Sequence, residues 1–138
     1  MSKMSKQCKR NRRGFTLIEM VIVIAMILVL LSIALPMYQR SIIRTKETKL
    51  RHDLVTLNKA IVEYSLDKKK APQSLDDLVQ ANYIKFVPDD ITGKTDTWKT
   101  DPEDSQDAWD PNQVGIKSVH SGSDEVSTDG RPYSEWTH

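Results

Sequence analysis

The pattern of apolar and polar positions divides the chain before any composition is counted. From Met20 to Leu35 every residue is apolar except Ser32, and none carries a charge. Phe15–Ile18 extends this run to about twenty residues, interrupted by one acid, Glu19. A helix rises about 1.5 Å per residue, so about twenty apolar residues cross the hydrocarbon core of a bilayer. The run is rich in β-branched residues, which suit strands, but strands usually end within about 3–10 residues, so its length predicts a helix. Pro36 follows. It removes one backbone donor and is expected to kink or loosen the helix around Ala34 and Leu35. Helical periodicity then resumes, with Leu50, Leu54, Leu57, Ile61 and Tyr64 recurring at steps of four and three. That is one apolar stripe, with Arg51, Asp53, Asn58, Lys59 and Glu63 expected mostly off it. Lys68-Lys69-Lys70 and Ala71-Pro72 end the segment, because a proline biases the residue before it away from helix. The pattern predicts a single helix from Phe15 to about Lys69, roughly 80 Å long at the standard rise.

Beyond Pro72 the pattern shortens. Ser74-Leu75-Asp76-Asp77 reads as an N-cap followed by acids in a first turn, opening a short helix to about Ala81. Tyr83–Pro88 reads as a short packed segment. Residues 89–111 are rich in Asp, Thr and Pro, a long loop with Trp98 and Trp109 as its large apolar anchors and one strand around Thr97–Thr100. Val114–His120 alternates with period two and is the strongest strand candidate. Ser121–Gly130 is a polar, turn-rich loop, and the closing stretch ends on Trp136, expected to dock on the core. The predicted class is α+β: a long N-terminal helix packed against a small C-terminal domain with a short helix, few antiparallel strands and long loops. The boundaries are 1–14, a basic leader; 15–36, the membrane-length helix; 37–70, its amphipathic second half; and 71–138, the small domain.

Charge adds an orientation. The formal net charge of +1 hides an asymmetry: residues 1–14 carry six basic side chains and no acid, whereas residues 71–138 carry five basic against fourteen acidic. Positive charge ahead of an apolar helix argues for a cytoplasmic N-terminus and an outward C-terminal domain. The basic stretch 36–70, nine basic residues to four acidic, weakens that argument without reversing it. An acidic outward domain lacks the basic footprint that phosphate neutralisation needs, so no nucleic-acid partner is expected. The single cysteine, Cys8, lies in the leader, and removal of the leader would leave no disulfide. An ordinary secretory signal is the competing explanation for the N-terminus. The apolar run is too long for one, and no small-x-small cleavage site follows it.

Candidate chemistry is sparse. His52, His120 and His138 are scattered, and no zinc spacing, phosphate-binding glycine loop or paired catalytic carboxylates appear, so no enzyme is expected. The loop Ser121–Gly130 offers Asp124, Glu125 and Asp129 with hydroxyls and two glycines. Calcium takes six to eight oxygen ligands from such groups, although the spacing is not that of an EF-hand.

The stretch Arg12-Arg13-Gly14-Phe15-Thr16-Leu17-Ile18-Glu19 carries a resemblance. A basic leader ending in Gly, Phe at the next position and Glu five residues after that Gly, ahead of an apolar helix, resembles the class III signal of type IV prepilins and type II secretion pseudopilins. The resemblance is strong over Arg12–Pro36 and loose beyond. It implies cleavage between Gly14 and Phe15 by a prepilin peptidase and methylation of the new amino group on Phe15. It also implies pairing of Glu19 with the amine of a neighbouring subunit, and Pro36 stands where the family carries its helix proline. Many type IV major pilins close their C-terminal loop with a cysteine pair. The lack of one in residues 15–138 favours a resemblance to the major, G-type pseudopilin.

Such pseudopilins hold calcium between the last strand and a C-terminal tryptophan segment. The resemblance therefore implies a structural Ca2+ on Asp124 and Asp129, with oxygens from Ser121 or Ser127. The family's upstream Asp-Pro-Trp-Gly-Asn pattern is absent; Asp101-Pro102 and Ala108-Trp109-Asp110-Pro111 echo it. The function implied is a structural subunit of a type II secretion pseudopilus. Its partners would be other copies of itself in a helical homopolymer, the prepilin peptidase, minor pseudopilins, an inner-membrane assembly platform driven by a cytoplasmic ATPase, and the membrane. The chain would sit in a bacterial inner membrane with its C-terminal domain in the periplasm, and then in a periplasmic filament. The alternatives are a type IV pilin for adhesion, motility or DNA uptake, and a signal-anchored binding protein with no filament.

Overall fold

The computed structural model describes residues 14–137. The leader before Gly14, Cys8 and His138 lie outside the described residues. The chain divides into two units, residues 1–39 and 40–138.

The helix α1 runs Leu17–Lys68, 52 residues, with Pro36 inside it. Its start is set by Thr16, whose Oγ1 accepts from the Glu19 backbone N–H at 3.3 Å, while the Thr16 carbonyl accepts from Met20 N–H. A threonine in front of the first turn satisfies a donor that the helix itself cannot. In the first unit the helix is bare: every described residue from Gly14 to Gln39 is exposed. By length and composition it contains a segment apolar enough to cross a membrane. A helix meets every backbone hydrogen bond of its interior by itself, which is the requirement for crossing lipid. Pro36 is the exception, because it withdraws the donor that the Ser32 carbonyl would take. Ser32 in turn donates its hydroxyl to the Val29 carbonyl at 2.6 Å.

In the second unit the predicted stripe is the core. Leu50, Leu54, Leu57 and Ile61 are each at most 2% exposed, with Ala60 and Tyr64 beside them. Against them pack Leu78, Trp98, Ile116, Val119, Tyr133 and Trp136. The short helix α2, Leu75–Gln80, begins as its sequence predicts. Ser74 accepts from the Asp77 N–H while the Asp77 carboxylate accepts from the Ser74 N–H, a reciprocal capping box. Leu78 is thereby turned onto the core with no exposed surface. Strands β1, Lys99–Pro102, and β2, Ile116–His120, pair antiparallel with a bulge between Asp101 and Pro102. Both begin two residues later than the sequence suggests; ahead of β1, Trp98 turns inward, its indole N–H on the Pro88 carbonyl at 2.7 Å. A short 3-10 turn, Tyr133–Glu135, carries Trp136 onto the core, where its ring meets Tyr133 edge-on at 5.3 Å.

Three expectations change. Trp109 is no anchor: it is 49% exposed, with the Lys69 ammonium over its ring. Tyr83–Pro88 is not evenly packed either, since Tyr83, Ile84 and Val87 lean on the core while Phe86 is 70% exposed. Asp53 and Asn58, expected off the stripe, are buried within it. Asn58 donates to the Leu54 and Val119 carbonyls and accepts from the Val119 N–H at 2.9 Å, so one amide ties α1 to β2.

Leu57→Ala is expected to cost about 2–5 kcal/mol, because it opens a cavity in a fully buried site, and Val62→Ala on the exposed face less than about 0.5 kcal/mol. Urea unfolding of the detergent-solubilised chain, followed by tryptophan fluorescence, compares the two. Equal losses would contradict the assignment of faces.

Candidate functional site

Gly14, Phe15 and Thr16 precede the first helical residue, Leu17, and have no regular secondary structure. Nothing lies within 4 Å of a Cβ built on Gly14, and Phe15 is 75% exposed. A peptide bond in such a stretch is free of the helical hydrogen bonds that keep a chain out of a peptidase cleft, and exposed, unpaired backbone is where cleavage concentrates. Glu19 sits in the first turn with its side chain exposed. The helix dipole favours an acid there, which gives Glu19 a role within its own helix. Thr16 is the residue that sequence reasoning missed in this stretch. The signal was present as Thr-x-x-Glu ahead of an apolar run, the signature of a capped helix start. Downstream, Ile22, Ala25, Met26, Val29 and Leu30 line one apolar strip along the helix.

The C-terminal loop is organised by two carboxyl groups that lie outside it. Glu47, on α1, is 5% exposed. It accepts from the Thr128 N–H at 2.8 Å, the Thr128 hydroxyl at 2.5 Å and the Tyr133 hydroxyl at 2.9 Å. Asp90, in the loop after α2, is 3% exposed. It accepts from the Ser121 hydroxyl at 2.6 Å, the Gly122 N–H at 3.0 Å, the Thr97 hydroxyl at 2.9 Å and its neighbour's Ile91 N–H at 2.7 Å. Gly122 is obligatory here: a Cβ would stand 1.9 Å from the Thr97 carbonyl oxygen. Neither acid was singled out from sequence. Glu47 had a signal, since it stands three residues before Leu50 and continues the buried stripe as an acid among apolar positions. Asp90 had none.

The four residues expected to hold calcium do not converge. Ser121 gives its hydroxyl proton to Asp90, and the Ser127 hydroxyl accepts from the Asp129 N–H. The Asp129 carboxylate pairs with the Arg51 guanidinium at 2.7 Å, and Asp124 is exposed. Among the described residues no group of three or more His, Cys, Asp or Glu is placed to hold a metal ion. This donor set, as folded, does not fit a calcium cage of six to eight oxygens.

Of the histidines, His52 is exposed on α1. His120 faces Asp101 across the β ladder at 3.1 Å, and Ser118 donates to the same carboxylate oxygen at 2.9 Å. Serine and imidazole thus both turn to the acid rather than to each other. Nucleophile activation needs the base on the hydroxyl, so this is a cross-strand polar network.

Comparison with known proteins gives a family model and several individual relatives. Residues 9–35 match the family model described as the prokaryotic N-terminal methylation motif. The type II secretion system core protein G of Aeromonas hydrophila is 32% identical over 101 residues, which cover 62% of this chain and 71% of that protein. The chain belongs to the type IV pilin-like family. The core protein G of Escherichia coli strain K12 is 34% identical over 99 residues, covering 60% of this chain and 68% of that protein. The type IV major fimbrial protein FimA of Dichelobacter nodosus is 36% identical over 76 residues, 55% of this chain. The chain spans about half the length of that fimbrial protein, 48%. No solved structure matches the chain. Membership places Gly14–Glu19 inside the matched motif and the C-terminal loop outside it.

Within this pilin-like domain the Glu47–Tyr133 contact gives a pH dependence. Burial pushes the Glu47 carboxyl up. The hydrogen bonds from the Thr128 hydroxyl and N–H and from Tyr133, with the Arg51 charge, outweigh it and hold the group below its ordinary 4.5. Burial first, and then the bond to Glu47, push the Tyr133 phenol up to about 12. A depressed carboxyl stabilises above its unfolded value and ceases to as pH falls through the folded one. A raised phenol stabilises below 10 and ceases to as pH rises toward 12. The melting temperature is therefore expected to be flat between these limits and to fall outside them. Glu47→Gln is expected to flatten the acid limb, and an unchanged acid limb in that variant would assign it to other groups.

Proposed function

We propose that this chain is a structural subunit of a type II secretion pseudopilus. The observation that carries the reading is the extent of the match to core protein G, 71% of that protein against 48% of FimA. It runs beyond the methylation motif, whose residues pilins and pseudopilins share. In this reading the chain waits in the inner membrane with its N-terminus in the cytoplasm and its C-terminal domain in the periplasm. A prepilin peptidase cuts the exposed Gly14–Phe15 bond and methylates the Phe15 amine. The chain then joins a helical homopolymer through an inner-membrane platform, together with minor pseudopilins.

The chemistry of assembly follows from the apolar strip and the one acid. Removal of the strip from lipid against neighbouring helices gains packing rather than hydrophobic transfer, because lipid is as apolar as the partner. Register needs a directional contact, and Glu19 supplies it. An acid at membrane depth is costly, by roughly 2.5–3.5 kcal/mol at the bilayer centre on insertion scales, unless it meets a cation. The new amine of Phe15 on a neighbour is such a cation, and its distance along the chain from Glu19 sets the offset between adjacent subunits.

A second reading, a subunit of a type IV pilus, is favoured by the higher identity, 43% over 61 residues, to the major α-pilin of Moraxella bovis. Surface fibres of micrometre length would support it, and short filaments confined to the periplasm support the pseudopilus.

Glu19→Val is expected to abolish recovery of filaments while cleavage at Gly14–Phe15 proceeds normally. Immunoblots of the sheared filament fraction and of the membrane fraction separate the two. Normal filaments from Glu19→Val would remove the pairing role.

A further inference from the structure

The segment from Ser121 to Trp136 is closed by protein carboxyl groups at the place where the family resemblance implies a cation. Glu47 and Asp90 come from elsewhere in the chain, and between them they accept five hydrogen bonds from this segment, three at Glu47 and two at Asp90. The points tied down are far apart along the loop: Ser121 and Gly122 at its entry, Thr128 at its middle and Tyr133 at its exit. A bound calcium ion would serve the same purpose by gathering oxygens from distant loop positions at one point. Here the gathering is inverted, because the loop offers donors, N–H and O–H groups, and the anchors are acceptors. Hydrogen bonds from N–H and O–H to a carboxylate are the stronger, charge-assisted kind.

Three of the four residues expected to hold a cation already have protein partners. Ser121 donates its hydroxyl, Ser127 caps the Asp129 N–H, and Asp124 is exposed. A cation already stands beside Asp129. The Arg51 guanidinium pairs with Asp129 and lies 4.6 Å from the centre of the Trp136 ring. A divalent ion on Asp129 would have to displace that guanidinium or sit beside it.

We infer that residues 121–136 form a metal-independent clasp, in which the Glu47 and Asp90 carboxyl groups do the work of a loop cation. The C-terminal domain accordingly folds and stays folded without calcium.

The test is thermal unfolding of the full-length chain in detergent, in excess EDTA and in millimolar calcium chloride, with a calorimetric titration of calcium chloride alongside. The expected melting temperature is the same in both buffers, with no saturable heat. Glu47→Gln and Asp90→Asn are expected to lower it by roughly 5 °C or more in EDTA and in calcium alike. Should either variant fail to fold, Thr128→Val removes a single hydroxyl donor to Glu47 and is expected to give a smaller drop, equal in the two buffers. A rise in melting temperature with calcium, or a saturable heat abolished by Asp124→Asn, would overturn the inference. So would unchanged stability in all three clasp variants.

Discussion

The backbone of α1 from Leu17 to Lys68 satisfies its own interior hydrogen bonds, except the one that Pro36 withdraws, and on that near self-sufficiency the rest of the structure depends. No other element allows one continuous segment to be bare and apolar at one end and half-buried under a domain at the other. The change is made in the side chains, with no break in the helix. Between Met20 and Leu35 apolar residues cover nearly the whole circumference; from Glu47 onward the buried positions narrow to one stripe, and charged and polar residues make up most of the remainder. Pro36 falls between the two regimes, where loss of one backbone bond does least harm to either.

The small domain depends on that stripe for its core. Two short strands and a six-residue helix cannot by themselves enclose a hydrophobic interior. They close over Leu50, Leu54, Leu57 and Ile61, and polar groups on the same helix fix their register: Asn58 takes the backbone of Val119, and Glu47 takes Thr128 and Tyr133. Burying a polar group is costly unless its bonds are met, and here Asn58 and Glu47 meet theirs across to β2 and the C-terminal loop. The apolar stripe accounts for the adhesion of the domain to the helix. Glu47 and Asn58 account for its orientation on it.

What could be read from the sequence was what is local. The membrane-length run, the leucine stripe, the Ser74 cap and the presence of a strand at β2 each rest on a few residues, where spacing carries the information; the two-residue alternation itself does not hold, since Ile116 and Val119 are both buried. The prepilin-like stretch was readable for the same reason, since its Gly, Phe and Glu lie within six residues. Glu47 and Asp90 were harder to read, because the loop groups they hold lie 31 to 86 residues away; only the place of Glu47 on the apolar stripe hinted at a buried acid. Trp109 and Phe86 misled in the opposite direction: apolar character predicts the capacity to be buried, and only the tertiary fold decides whether there is room. The expected calcium ligands show a related limit. A list of oxygen-bearing residues says nothing of whether each oxygen is already engaged, and Arg51, which engages Asp129, comes from 78 residues away.

The central claim is that this chain is a prepilin-type precursor whose working form begins at Phe15. The direct measurement is intact mass and N-terminal sequence of the protein extracted from its native membrane. The account predicts a chain that starts at N-methylated Phe15, lacking Met1–Gly14. A chain that keeps its leader in the mature protein would contradict it, leaving a membrane-anchored domain with no route into a filament.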